Sequence, residues 1–303
     1  MSRIAITGAT GLIGGALRTS LELDGHTVQT VTRSQAAAGA EDVVWDPEAG
    51  TIDAAKLEGV DAVVHLAAEP IGEARWTEAT KQRIRRSREL GTELIATTLA
   101  QLDDPPDVFV STSAVGYYGD RGEEILTEGS GSGDDFVAQV CRAWEAAAEP
   151  ARAAGIRVVH PRTGVVIAPE GPLLAKLELP FKLGVGGKVL PGDQYVPWVS
   201  LEDEIRALRF LIDHDLEGPV NVAGPVPVTN AQMTKALGKV LRRPTVMPIP
   251  AFAIRLIYGE MGVSLATVSQ RVVAERLIEA GFEFRHRTIE EALRAALDRP
   301  LAA

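Results

Sequence analysis

Three glycines at a spacing of three, Gly8, Gly11 and Gly14 in "TGATGLIG", stand between the apolar run Ile4-Ala5-Ile6 and a helical pattern of Leu12, Ile13, Ala16, Leu17 and Leu21. A strand-to-helix turn of this composition binds phosphate. The first turn of a helix carries unpaired N–H groups and a partial positive charge, and glycine lets a pyrophosphate approach both. Gly8 is expected to make the tight turn, Gly11 the close approach and Gly14 the packing of helix on strand, with Thr7, Thr10, Leu12 and Ile13 completing the contact surface. The spacing is GxxGxxG, where the commoner dinucleotide fingerprint is GxGxxG. Arg33 lies 19 residues after Gly14, in Thr32-Arg33-Ser34. A fold that prefers NAD places Asp or Glu there to hold the ribose 2′-hydroxyl. A guanidinium suits a 2′-phosphate instead, through forked hydrogen bonds and a plane that stacks on adenine. NADP is therefore the expected cofactor.

A second group of reactive side chains sits in "VSTSAVGYYGDR": Ser113, then Tyr117 and Tyr118, with Arg121 four residues beyond Tyr117. A serine and a tyrosine can hold and protonate a substrate oxygen. The two tyrosines serve equally well as pocket walls beside a nicotinamide. Cys141, the single cysteine, falls at helical spacing with Val137 and Trp144, a core pattern more than a nucleophile's. Five scattered histidines show no HxxxH or HxH spacing, so no metal is expected.

Positioning these groups requires alternating strands and helices. "HTVQTVTR", "DVVW", "VDAVVHLAA", "PPDVFVSTSAV" and "IRVVHPRTGVVI" read as strands two to six. A helix from about Trp76 to Leu102 follows the fourth, and "DFVAQVCRAWEAAAEPARAAG", ending at Gly155, follows the fifth. Val- and Ile-rich strands between amphipathic helices make parallel βαβ units, hence an α/β, Rossmann-type, doubly wound sheet with its ligand beyond the carboxyl ends of the strands. Leu66, Ala67 and Ala68 would then end beneath the adenosine. Residues 1–168 are expected to form this domain, with some crossing of segments. Residues 169–303 are expected to form a smaller substrate lobe. The run "GSGSGDD" at 129–135 has the composition of a solvated loop or a flap over the site.

Composition narrows the partners. The 303 residues are 46% hydrophobic, and 41 acidic against 31 basic side chains give a net charge of −10. That charge opposes attraction to nucleic acid or an anionic membrane surface. No apolar run approaches the ~20 residues that span a bilayer, and no leader pattern precedes the first strand, so a cytoplasmic protein acting on a small molecule is expected. A homodimer is left open.

The chain resembles the extended short-chain dehydrogenase/reductases, on "TGATGLIG", "VVHLAA" and "VSTSAVGYYG". Over nearly its whole length it is similar to an atypical branch catalogued as nucleoside-diphosphate-sugar epimerases with a carboxy-terminal segment of unknown function. The motifs are "RWTEATKQRIRRSRELGT", "WEAAA", "RTGVVIAPEG", "LPFKLGVGG" and "AGFEFRHRTIEEAL". The resemblance implies hydride transfer to or from a nicotinamide, with Ser113 orienting the substrate oxygen and Tyr117 or Tyr118 donating the proton. It implies that Arg88, in the basic cluster Lys81, Arg83, Arg85, Arg86 and Arg88, passes near the cofactor, and that Lys188, Gln194, Tyr195 and Trp198 belong to the substrate-holding segment. The family's Tyr-x-x-x-Lys dyad is absent: aligned on Glu145, its positions are Val137 and Cys141, and a shift of one residue gives only Phe136 and Val140. Two functions follow as expectations. The first is an NADP-linked oxidoreductase or epimerase acting on a small polar, nucleotide-sugar-like substrate. The second is a catalytically weak regulator that reports NADPH through a partner.

Overall fold

Short runs of Val, Ile and Ala become strands covered on both faces. The computed structural model describes residues 1–35 and 38–297. Its main sheet is built from β1 (Arg3–Thr7), β2 (Thr27–Thr32), β3 (Val43–Asp46), β4 (Thr51–Ile52), β5 (Ala62–His65), β6 (Val108–Ser111), β7 (Ser113–Ala114), β9 (Arg157–Thr163) and β13 (Gly218–Val222), while β8 (Ile125–Leu126), β10 (Val165–Ile167), β11 (Tyr195–Val196) and β12 (Trp198–Ser200) lie outside it. The order is β13-β9-β6-β5-β1-β2-β3-β4, with β7 also on β9. All pairings in it are parallel except β3 with β4. Chain direction across the sheet reverses between β1 and β5, and that switch point opens the crevice where ligands of such sheets bind.

Alternation along each strand divides the core. Ile4, Ile6, Val64 and Val110 face α1 (Leu12–Leu23) and α6 (Leu201–Asp213), where Leu17 and Leu208 meet them. Ala5, Val63, Phe109 and Val158 face the opposite way, toward α2 (Glu78–Leu99) and α4 (Glu149–Ala153). The long helix starts at Glu78 because the Thr77 hydroxyl accepts the Thr80 N–H. The helix expected to run unbroken to Gly155 is two, α3 (Phe136–Ala146) and α4, with Pro150 in the first turn of the second.

The strand read as 156–167 divides at Gly164. There a Cβ would lie 2.3 Å from the Pro197 carbonyl oxygen, and β10 beyond it pairs with β12 outside the main sheet. The fifth strand likewise yields at Val115 to a single 3₁₀ turn, Val115–Tyr118.

The remaining segments assemble around Trp198, Phe181, Leu174, Met233, Leu237 and Leu293. They comprise α5 (Pro172–Lys182), α7 (Asn230–Leu241), α10 (Ile289–Leu297) and the pair β11 with β14 (Val228–Thr229), while α8 (Ala251–Ala266) packs its Met261 with Trp76 and Ile84. The division at residue 168 is crossed in both directions. Helix α6 packs on α1, β13 adds to β9, and α9 (Glu275–Glu279) with Phe282 and Phe284 closes the same core. Conversely, β15 (Arg271–Val272) pairs with β8. No helix among the described residues is long and apolar enough to cross a membrane.

Candidate functional site

The glycine turn has the shape its spacing implies. Gly8 takes φ +68°, a conformation that L side chains rarely adopt, and a Cβ there would lie 3.0 Å from the Ala67 nitrogen. The Gly11 N–H donates to the Gly8 carbonyl at 2.9 Å. At Gly14 a Cβ would meet that same carbonyl oxygen at 2.2 Å, so only glycine lets α1 sit so close to the turn. Helix α1 begins at Leu12 with Gly11 as its cap, no side-chain acceptor and no acid in its first turn. Its leading N–H groups are thus available to an anion. A Cβ on Gly11 would meet only the Gly8 oxygen, at 3.3 Å; open space surrounds the rest of it. Thr10 is exposed beside it, and Leu12 and Ile13 are half-buried. These residues fit a dinucleotide pyrophosphate.

Thr7 turns away from that surface. Its buried hydroxyl lies 2.8 Å from His65 Nδ1 and accepts the Leu66 and Ala67 N–H groups at 3.0 Å, fastening the loop after β5 beneath the cradle. Burial pushes the His65 imidazole down to about 3, so it is neutral. At the end of β2, Thr32 Oγ1 accepts the Ser34 N–H. Arg33 beyond it is exposed, with no carboxylate partner among the described residues. Leu66, Ala67 and Ala68, just after β5, are half-buried.

The corner after β6 departs further from expectation. Ser113, 3% exposed, donates its hydroxyl proton to Glu145 Oε1 at 2.7 Å. Both oxygens of Glu145 are held by Arg162, at 2.8 and 2.9 Å. Arg162 Nη1 reaches the Tyr118 hydroxyl at 3.0 Å, and that hydroxyl donates to Asn221 Oδ1 at 2.6 Å. Burial opposes the Arg162 charge, but its bonds to Glu145 outweigh that and hold the guanidinium above its ordinary value. Tyr118 is fully buried, and burial pushes its phenol up to about 12. It is a structural member of this network, its proton engaged by Asn221.

Tyr117 is different. It is half-buried, its ring lies 3.5 Å from the Arg162 guanidinium carbon, and its hydroxyl has no partner among the described residues. Helix α3 offers no substitute: Val137 packs where a Cβ on Gly116 would be 2.4 Å away. Cys141 is buried, its thiol pushed up to about 12 by that burial. Sequence reasoning missed Glu145 and Arg162. The available signal was slight: Glu145 follows the core residue Trp144 on a helix that also carries Arg142, and Arg162 lies in a Val-rich strand that also carries His160.

The second lobe supplies support more than chemistry. Gln194 donates to the carbonyls of Val189 and Ala266, and Trp198 Nε1 donates to that of Val226. Lys188 is exposed. Tyr195, half-buried, lies under the Arg271 guanidinium at 5.1 Å. Gln270, next to Arg271, binds the carbonyls of Val115 and Gly119 and fixes the tyrosine turn. The 129–135 run is packed against that turn as well: the Gly133 N–H donates to the Tyr117 carbonyl at 2.9 Å, and a Cβ on Gly133 would meet Gly119 Cα at 2.7 Å. It is no free flap. Arg88 is buried beneath the loop after β5, where its Nη1 donates to the carbonyls of Glu69 and Ile84. Among the described residues no cluster of His, Cys, Asp and Glu could hold a metal ion.

Comparison with known proteins places this geometry. Residues 4–223 match the model of the NAD dependent epimerase/dehydratase family, and residues 249–296 match a domain of unknown function, DUF1731. An epimerase family protein of Mycobacterium bovis is 43% identical over 298 residues, covering 98% of each chain. A chloroplastic epimerase family protein of Arabidopsis thaliana is 34% identical, over 97% of this chain and 86% of its own. The crystal structure of human epimerase family protein SDR39U1 with NADPH superposes with a TM-score of 0.89 at 29% identity, over 98% of this chain and 100% of that one.

Proposed function

The chain belongs to the NAD dependent epimerase/dehydratase family, and on that premise we propose that it binds NADP and transfers hydride between the nicotinamide and a small polar substrate, as an oxidoreductase or an epimerase. The observation that carries this reading is the pairing of an uncapped glycine turn with an exposed Arg33 at the end of β2 that meets no carboxylate among the described residues. The human relative crystallised with NADPH supports it. Backbone N–H groups at the start of α1 hold the pyrophosphate, Arg33 holds the 2′-phosphate, and Leu66, Ala67 and Ala68 leave room for the adenosine.

Bound NADPH supplies the hydride. Carbonyl reduction adds that hydride at carbon and a proton at oxygen, giving an alcohol and NADP⁺. Tyr117 donates the proton, since its hydroxyl is the one at this corner that no described side chain engages, and solvent restores it. Ser113, whose own proton goes to Glu145, accepts a hydrogen bond from a substrate hydroxyl and orients it.

The test is incubation of the purified protein with NADPH or NADP⁺ and a metabolite extract, following nicotinamide absorbance and any retained compound. Conversion of the cofactor by one fraction, slowed in Tyr117→Phe, is expected. Failure to bind either NADPH or NADH overturns the reading. A second reading, a regulator that reports NADPH, draws on the replacement of the dyad by Val137 and Cys141. Tight NADPH binding with no conversion in any fraction is its signature.

A further inference from the structure

Ten of the sixteen large apolar side chains that stand exposed among the described residues fall in two segments, 172–190 and 242–258. The same segments hold six cations, Lys176, Lys182, Lys188, Arg242, Arg243 and Arg255, against one carboxylate, Glu178, a balance of +5 in a chain whose net charge is −10. Among the described residues only Lys182 of the six meets a carboxylate, that of Glu178 at 2.6 Å. The acidic total of the protein conceals a region that is both basic and apolar.

The two segments lie side by side. Arg243 Nε donates to the Lys182 carbonyl at 2.9 Å, the Ile249 N–H to that of Lys188 at 2.8 Å and the Leu190 N–H to that of Ile249 at 3.0 Å. On α5, Leu174 and Phe181 turn into the core around Trp198, which leaves Lys176, Leu179 and Leu183, spaced three and four apart, on the outer side. Lys176 Nζ stands 5.4 Å from the centroid of the Tyr258 ring and so joins that side of α5 to α8. From Ala251 to Ile257, α8 has one charged residue, Arg255, and only Ile254 is buried. Phe252 is 74% exposed and Leu256 77%, although a helix that meets water is ordinarily polar on its outer side. The helix is fixed in place: Arg75 Nη2 donates to the carbonyls of Leu256 and Ile257 at 2.8 Å, and Met261 packs with Trp76.

Charge decides what covers such a face. A second copy seated through a two-fold contact would bring the face against itself, cations against cations. A bilayer surface that carries anionic lipid complements both of its materials. Leu179, Leu183, Phe252 and Leu256 enter the boundary between headgroups and acyl chains, while the long stems of Lys182, Arg242 and Arg255 let their charges reach the headgroups. We propose that this face of α5 and α8 docks on the surface of an anionic lipid bilayer without crossing it. The docking is independent of the NADP reading above.

Cosedimentation of the whole chain with vesicles tests it, with pure phosphatidylcholine set against phosphatidylcholine mixed with phosphatidylserine. Binding to the mixed vesicles is expected to be ~10-fold tighter or more, a gap that closes in high salt. Phe252→Ser with Leu256→Ser is expected to weaken mixed-vesicle binding ~10-fold or more. Arg242→Glu with Arg255→Glu is expected to weaken it as much and to remove its salt dependence. All four side chains are exposed, and an unchanged denaturation midpoint shows that each variant is folded; should one pair not fold, the other carries the comparison. No binding to the mixed vesicles, equal binding to both kinds, or undiminished binding by a folded variant overturns the proposal. A dimer in sedimentation velocity that Phe252→Ser with Leu256→Ser disperses, in protein that no vesicle retains, gives the face to a second copy and overturns it as well.

Discussion

The β1–α1 turn and the corner after β6 use different materials. At the turn, chemistry comes from backbone N–H groups exposed by missing side chains, and each glycine has a steric reason within a few residues or at the β5 loop. At the corner, chemistry would come from hydroxyls. Two of the three there, on Ser113 and Tyr118, are consumed by a buried chain that runs through Glu145, Arg162 and Asn221. A site made of backbone is local in sequence and survives changes elsewhere. A site made of side chains depends on partners far along the chain, and a few of those partners decide whether a hydroxyl reacts or merely braces the fold.

Substitutions can break or sharpen that contrast, starting with the largest effect. Gly14→Val places a branched side chain where even a Cβ would lie 2.2 Å from the Gly8 carbonyl oxygen, so NADPH binding is expected to vanish in calorimetry; measurable binding would show that the cradle lies elsewhere. Arg162→Met leaves the Glu145 carboxylate buried without its cation, a loss on the order of 3–5 kcal/mol of stability, read as a lowered denaturation midpoint. An unchanged midpoint would mean that the corner is not held by this chain of contacts. Arg33→Ala is expected to erase a ~10- to 150-fold preference for NADPH over NADH, and equal affinities in the wild type would remove the role assigned to Arg33.

The two tyrosines should separate cleanly. Tyr118→Phe strands Asn221 and Arg162 and costs about 1–2 kcal/mol of stability, while Tyr117→Phe spares stability and slows turnover once a substrate is found. The reverse pattern would exchange their roles. The smallest effect concerns Glu204, a fully buried carboxyl whose Oε1 accepts the Thr163 hydroxyl at 2.8 Å and whose pKa burial pushes from 4.5 up to about 8. The folded state then binds a proton that the unfolded state has released. Its contribution is fully present below pH 4.5 and is lost as pH rises toward 8. Glu204→Gln is expected to flatten that decline in melting temperature by a few degrees; parallel pH profiles would argue that the carboxyl ionises freely.

Legibility in the sequence follows the same division. Ile4–Ile6, the glycine turn, Arg33 and the β5 run were readable because periodicity and spacing act over short distances. Helix α6 and β13 read as parts of a second lobe because chain order carries no mark that a segment returns to an open sheet edge. The corner was half-legible. Ser113 and the missing dyad stood out, but the inward turn of Tyr118 depends on Arg162 and on Asn221, 103 residues away, and no local pattern announces such a partner. Gly164 was hidden inside a stretch that reads as one strand, and only the Pro197 carbonyl beside it explains the break.

The return of β13 to the edge of β9 also governs how the chain is made. As synthesis proceeds from the amino terminus, the first 168 residues leave the ribosome with Val159 and its neighbours along an unpaired edge. The β13 strand that covers them arrives only at residues 218–222, and Leu277, Phe282 and Phe284 of the same core come later still. The nascent dinucleotide fold therefore waits, exposed to other edges and to chaperones, until almost the whole chain has emerged. A chain that stops between residues 168 and 218 is expected to leave the β9 edge uncovered and to aggregate.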